Sequence, residues 1–212
     1  MRSTYQGAGE QLAQRLAADG ITNQKVLQAI AMVPRHVFVG ETLAHRAYEN
    51  TFLPIGDGQT ISQPYIVAKM TELLLAHGAK GKVLEIGTGC GYQTAVLAQL
   101  VDKVFSIERL QKLQYQSKLR LKALDLYNIT MRHGDGWQGW ATKAPFDGII
   151  VTAAPDRVPE ALLEQLADGG VLIVPVGVEQ QVLRLIKRQG DEFISEDICG
   201  VRFVPLVPGD LA

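Results

Sequence analysis

The chain is poor in the residues that mark several protein classes. It holds two cysteines in 212 residues, Cys90 and Cys199, far apart and outside any CxxC pair. Neither a disulfide framework nor a zinc site follows from such usage. No sign of charge prevails either: 21 Lys plus Arg stand against 22 Asp plus Glu, and the basic footprint usual in nucleic-acid enzymes is missing. Apolar runs are brief and bounded by turn residues, too short for a bilayer span. Behind Met1-Arg2-Ser3-Thr4-Tyr5-Gln6 there is no apolar stretch of the secretory kind. Repeats, low-complexity tracts and interdomain linkers are also lacking. These absences predict a cytoplasmic protein with no metal, no membrane and no nucleic-acid partner. Oligomeric state is not legible, and a monomer is the favoured expectation.

What the chain does have is an α/β pattern. Its length suits one sizeable domain, predicted over 1–212, with helices and a loop in 1–80 and the main sheet in 81–212. Up to about residue 47 the pattern is helical: Leu12 and Leu16 share one face, and Val26, Ile30 and Val33 share another. Thr22 is the expected N-cap of the second helix and Pro34 its end. Residues 53–62, with Pro54, Gly56 and Asp57-Gly58, read as a loop. A helix follows Ser62 through Val67, Met70, Leu73 and Leu74 to about His77. Strands are then expected at 83–86, 103–107, 129–133, 147–152 and 170–175, with helices at 92–101, 110–126 and 159–166. That alternation implies a mostly parallel, doubly wound Rossmann-like sheet with right-handed crossovers and an N-terminal helical addition. Runs 182–187 and 198–206 close its edge, one of them antiparallel.

The most informative stretch is Val83-Leu84-Glu85-Ile86-Gly87-Thr88-Gly89-Cys90-Gly91-Tyr92. An apolar strand runs into glycines at alternate positions, which permit positive φ and put bare backbone beside a ligand. The dinucleotide fingerprint needs its third glycine one position later, where Tyr92 stands. The pattern therefore suits an adenosine ligand without a pyrophosphate, such as S-adenosylmethionine, better than NAD.

Ligands of open α/β sheets sit beyond the carboxyl ends of the strands. Besides Gly87, Gly89 and Gly91, that rule selects Glu108, about 21 residues beyond Gly87 at a strand end, as the acceptor for ribose hydroxyls. The alternative is a surface pair with Arg109 or Lys112. Asp135, with Gly136 allowing close approach, could receive an adenine amino group; an ordinary Asp-Gly turn is the competing account. Glu85, inside an apolar strand, needs compensation, from a sulfonium and the loop amides or from a structural hydrogen-bond network.

Beyond this loop, the chain resembles the protein-L-isoaspartate O-methyltransferases, most of all their bacterial branch. The likeness rests on Val33-Pro34-Arg35 with Phe38, Thr60-Ile61-Ser62-Gln63-Pro64-Tyr65, Gly134-Asp135-Gly136-Trp137, the run from Pro145 to Pro155, the run from Gly169 to Gly177, and Val201-Arg202-Phe203-Val204-Pro205-Leu206. It covers nearly the whole chain. The resemblance implies methyl transfer from S-adenosylmethionine, leaving S-adenosylhomocysteine, to the free α-carboxylate of L-isoaspartyl residues in damaged proteins and peptides. It implies Ser62 as the active-site residue, with Gln59, Thr60 and Ile61 near cofactor and substrate. Two departures stand out: Cys90 replaces a commoner serine, and Val207 stands where some members have threonine.

Ser62 begins a helix in this reading, where free amides and the dipole favour anions, so a substrate carboxylate could bind hydroxyl and amides together. A covalent role is not expected, because His36, His45, His77 and His133 have no triad context. A carboxylate of pKa ~3.5 is already ionised at neutral pH, so no general base is needed. Catalysis would come from holding the reacting atoms about 3–3.5 Å apart. Accepting many sequences requires backbone recognition, and residues 201–204 are the candidate edge for an extended peptide, with a buried strand as the competing account. A methyltransferase for another substrate and a non-catalytic adenosine-binding module are the rival readings.

Overall fold

The structure, a computed structural model, describes residues 5–210. Helices α1 (Ala8–Ala18) and α2 (Gln24–Met32) open the chain, followed by two short 3-10 turns, Arg35–Phe38 and Glu41–Arg46. The cap of α2 is Asn23, one residue later than expected. Its side chain accepts the N–H groups of Lys25 and Val26, while the Thr22 N–H and hydroxyl donate to Glu72 instead. A cap needs an acceptor aimed at the first free amides, and Thr22 is turned away from them toward Glu72.

The expected loop at 53–62 is a β-hairpin, β1 (Leu53–Gly56) and β2 (Gln59–Ile61). Asp57 and Gly58 form its turn with φ of 52° and 70°. Positive φ at both central residues matches the twist of a two-residue hairpin, for which Asp-Gly is a strong signal. Helix α3 (Pro64–Ala76) follows and lays Val67, Met70, Leu74 and Leu75 into the core.

The main sheet holds β3 (Lys82–Ile86), β4 (Lys103–Glu108), β5 (Ile129–His133), β6 (Phe146–Val151), β7 (Leu166–Val176), β8 (Gln181–Gln189) and β9 (Glu192–Val201). Their order is β5-β4-β3-β6-β7-β8-β9. The first five lie parallel, while β8 runs antiparallel to β7 and β9 antiparallel to β8. Of the two closing strands, only β8 is reversed relative to the parallel set, as expected. Residues 202–206 do not extend the ladder; they cross the carboxyl ends of the strands, where Pro205 makes an isolated bridge to Ala154.

Helices α4 (Tyr92–Ala98) and α5 (Gln111–Ala123) match their expectation closely, but α6 (Glu160–Glu164) has five residues. Its apolar end, Leu166, opens β7 rather than closing the helix.

Alternation along β3 divides the core. Val83 packs with α1 to α5 on one face, and Leu84 and Ile86 pack with Phe105, Trp140, Phe146 and Leu162 on the other. Each such buried aliphatic side chain contributes roughly 1.5–3 kcal/mol relative to exposure. Strand order reverses between β3 and β6, and the carboxyl ends of these neighbours frame the candidate site.

Candidate active site

Gly87 and Gly89 turn the chain out of β3 with φ of 94° and 55°. The Gly87 N–H donates to the Ile107 carbonyl at 2.8 Å, which anchors the loop to β4. A Cβ on Gly87 would lie 2.6 Å from Thr152 Oγ1, so no side chain fits there. Gly89 donates its N–H to Glu108 Oε2 at 2.7 Å, and Glu108 Oε1 accepts the Leu110 N–H at 2.9 Å. Each carboxylate oxygen has two acceptor sites, so Glu108 fixes two loops and keeps further capacity for a ligand. The surface alternative is not realised: Lys112 reaches Asp57 at 3.6 Å, and Glu108 is buried.

A cavity runs along this wall, lined by Gln59, Thr60, Gly87, Gly89, Glu108 and Gly136, with Leu206 and Val207 at its side. Gly136 is pressed against β3, since a Cβ there would collide with Ile86 Cγ2. Its neighbour Asp135 lies outside the lining, and one of its oxygens accepts the Trp137 N–H at 2.9 Å. The turn account of Asp135 is therefore realised, with its second oxygen left unengaged. Gly91 is turned from the cavity too: at φ 92° it starts α4, and a Cβ would meet Leu121 and Ser117 of α5.

Glu85 is fully buried beneath the loop and lines no cavity. Its Oε1 accepts the hydroxyls of Thr94 at 2.5 Å and Ser106 at 2.6 Å. Because the Ser106 proton is used there, Thr88 donates to Ser106 at 2.5 Å, which ties the glycine loop to β4. Burial pushes the Glu85 carboxyl up to about 8, against the two hydroxyl donors and with help from the nearby Glu108 charge. Of the two accounts of Glu85, the structural network is the one realised. Cys90 is buried and its thiol is pushed up by desolvation, so the residue is no thiolate at neutral pH.

Ser62 stands one residue before the start of α3. The cap is Gln63, with no side-chain cap bond, and Pro64 occupies the first helical position. This corrects the anion-site expectation. Pro64 has no N–H, the Tyr65 N–H donates to Asn50 Oδ1 and the Ile66 N–H to the Gln63 carbonyl. The first-turn amides are thus already engaged, and Ser62's own hydroxyl is left without a partner among the described residues. Ile61 packs into the core at 3% exposure and also borders the narrow cavity between Ser62 and the glycine loop.

A larger cavity of about 1160 Å³ opens beside Ser62, bordered by Thr60, Phe52, Arg184, Asp197 and residues 201–204. A third, narrow one links Ser62 to Gly87 and Gly89. All three share two residues, Thr60 and Thr152. Thr152 was not singled out from the sequence. It lies just past β6, donating its N–H to the Ile86 carbonyl and its hydroxyl to the Gly87 carbonyl at 2.6 Å. The strand-end rule that selected Glu108 would have found it, had it been applied to the strand beside β3. Segment 202–207 is the other surprise. It is strapped down by Ala154 N–H to Val204 O, Leu206 N–H to Ala154 O, and the Trp137 indole to Leu206 O.

Bare backbone at Gly87 and Gly89, a buried acid with spare acceptor sites and a cavity at the reversal of strand order suit an adenosine-bearing ligand. Among the described residues no group of His, Cys, Asp and Glu could hold a metal, and no helix is long and apolar enough to cross a membrane. Fold and site together define the Rossmann-like S-adenosylmethionine-dependent methyltransferases. Within that class, the chain belongs to the protein-L-isoaspartate(D-aspartate) O-methyltransferase family, whose family model matches residues 8–210. The protein-L-isoaspartate O-methyltransferase of Colwellia psychrerythraea is 65% identical over 96% of this chain and 94% of its own. That of Idiomarina loihiensis is 61% identical over the full length of both. A solved protein-L-isoaspartate O-methyltransferase superimposes with a TM-score of 0.85 at 30% identity, over 92% of this chain and 65% of that one. A Plasmodium falciparum relative, solved with S-adenosyl-L-homocysteine, gives 0.82 at 26% identity over 94% and 98%.

Proposed function

We propose that this chain methylates the free α-carboxylate of L-isoaspartyl residues in damaged proteins and peptides, using S-adenosylmethionine. The carrying observation is the convergence of three cavities on Thr60 and Thr152 beside an unpartnered Ser62 hydroxyl. Methyl transfer needs donor and acceptor pockets to meet, and this is where they do.

The cofactor, when bound, supplies an electrophilic methyl group on a positively charged sulfur. Gly87, Gly89, Glu108 and Gly136 would hold it, with Gln59 and Thr60 of the hairpin lining the same cavity. Ser62 donates its hydroxyl to the substrate carboxylate and orients one oxygen for in-line attack. No base is required, because the attacking group is an anion at neutral pH. Orientation supplies several kcal/mol of the barrier reduction. Residues 201–204 border the same cavity as Ser62 and serve as the edge along which an extended peptide aligns. Once the ester has formed, its better leaving group lets the neighbouring amide nitrogen close a succinimide. Hydrolysis of that ring returns part of the material to normal aspartate without further help from the protein.

The test is transfer of tritiated methyl to an isoaspartyl peptide beside its normal-aspartyl twin. Label is expected on the isoaspartyl form alone. Equal labelling of both, or of neither, would overturn the reading.

A further inference from the structure

Arg35 is wholly buried, yet the described ion pairs give it no carboxylate partner. Its Nε donates to the Ala47 carbonyl at 2.7 Å, and its Nη2 donates to the Ser62 carbonyl at 2.9 Å and more weakly to that of Thr51 at 3.4 Å. The guanidinium lies over the Tyr92 ring, 4.6 Å from its centroid, and Nη1 and the Tyr92 hydroxyl are buried with no well-formed hydrogen bond, their mutual interaction being the one polar contact they have. Taking a cation out of water is costly unless an anion or a full set of acceptors compensates it. Here the compensation is incomplete.

A neutral donor would be enough to tie the two 3-10 turns to the Ser62 segment. A permanent charge does something a neutral donor cannot: it acts at a distance, little weakened by solvent when buried. The Ser62–Gln63 peptide is trans and planar, so its N–H lies on the edge opposite the carbonyl that Arg35 holds. That N–H has no acceptor among the described residues, and a charge-assisted bond at the carbonyl makes it a stronger donor. Ser62 and Gln63 both line the larger cavity.

We infer that Arg35 is a buried positioning and specificity-determining residue. It sets Ser62 and lends its only partly compensated positive charge, through the Ser62–Gln63 peptide, to the cavity, so that an anionic carboxylate is chosen over a neutral group of the same shape. This rests on the proposed isoaspartyl reading and adds the source of its charge selectivity.

The experiment compares a short isoaspartyl peptide with a twin bearing a carboxamide in place of the free α-carboxylate, each as a competitive inhibitor. It uses wild type, R35K and R35M, with S-adenosylhomocysteine affinity from calorimetry as the check on folding. Wild type is expected to prefer the carboxylate. R35M should lose about tenfold or more of that preference while binding the carboxamide twin and S-adenosylhomocysteine as before. R35K should keep the preference but turn over slowly, because an ammonium cannot reproduce the guanidinium fork. Equal weakening of both peptides in R35M would make Arg35 a structural latch and overturn the inference. Should R35M not fold, R35K and a salt titration of wild type decide. A buried charge leaves the preference intact from about 50 to 500 mM salt. A preference that collapses with salt belongs to the half-buried Arg184 and the exposed Arg202, and would equally overturn it. Wild type that methylates no isoaspartyl peptide would instead sink the functional reading.

Discussion

The cofactor side and the substrate side of this site are held by opposite means. Around Gly87 and Gly89 the supports are neutral hydroxyls or a carboxylate satisfied by the backbone: Glu108 on two backbone amides, the chain from Thr88 through Ser106 to Glu85, and Thr152 on the Gly87 carbonyl. Around Ser62 the support is a cation whose charge is only partly compensated, Arg35, which grips the Ser62 carbonyl from the first 3-10 turn. A loop that cradles one invariant ligand can be fixed rigidly by the neighbouring strands. A loop that must accept many peptides is better held from behind, which leaves its front free.

The largest effect should come from breaking the rigid side. Gly87→Ala puts a Cβ at φ 94° and against Thr152 Oγ1. Strain of about 1–3 kcal/mol plus a displaced loop should weaken S-adenosylhomocysteine by about a hundredfold or more in calorimetry. Next is Ser62→Ala, which removes one hydrogen bond to a charged group, worth about 1.5–3 kcal/mol. Turnover should fall roughly 10- to 100-fold, with cofactor affinity largely kept. Comparable loss of cofactor binding would move Ser62 to the other side of the comparison. Glu108→Gln retains size but exchanges charged acceptors for a neutral amide, so cofactor affinity should drop about tenfold and peptide KM little.

Peptides methylated at alternate backbone nitrogens probe the substrate side. If residues 201–204 align the peptide as a strand, KM should rise several-fold for one register and not the other; unchanged constants would remove strand-like docking. The smallest effect on cofactor binding is at Glu85, whose signature is in stability. Its folded value, raised to about 8, lies above the ordinary 4.5. Between those values the folded protein holds a proton that the unfolded chain has released, so stability falls as pH rises, by at most roughly 1.4 kcal/mol per pH unit. Glu85→Gln should bind cofactor nearly as wild type does at pH 7 and show a flatter stability profile above pH 5. Parallel denaturation curves for the two proteins would count against a protonated Glu85.

Much of the parallel sheet could be read directly, because βαβ alternation is a short-range pattern whose period shows in the side chains. The glycine loop and Glu108 were legible for the same reason: they sit at strand ends, and strand ends are visible in the sequence. Where reading went astray, a distant partner had intervened. Glu72 turned Thr22 from its cap, Asn50 took the Tyr65 amide, and the pairing of Leu166 with Phe146 of β6 absorbed the end of α6. Asp57-Gly58 carried a hairpin signal, but a pair of strands as short as β1 and β2 leaves little alternation to see.

Fold class and cofactor chemistry thus belong to the linear chain, since local periodicity and strand-end residues encode them, and the family belongs to it through the motifs it shares with its relatives. Which glycines and acids face a ligand, which merely pack, and which charge stands behind Ser62 emerge only on folding. Orientation and burial arise from contacts dozens of residues apart, and a buried cation such as Arg35 looks in sequence like any surface arginine.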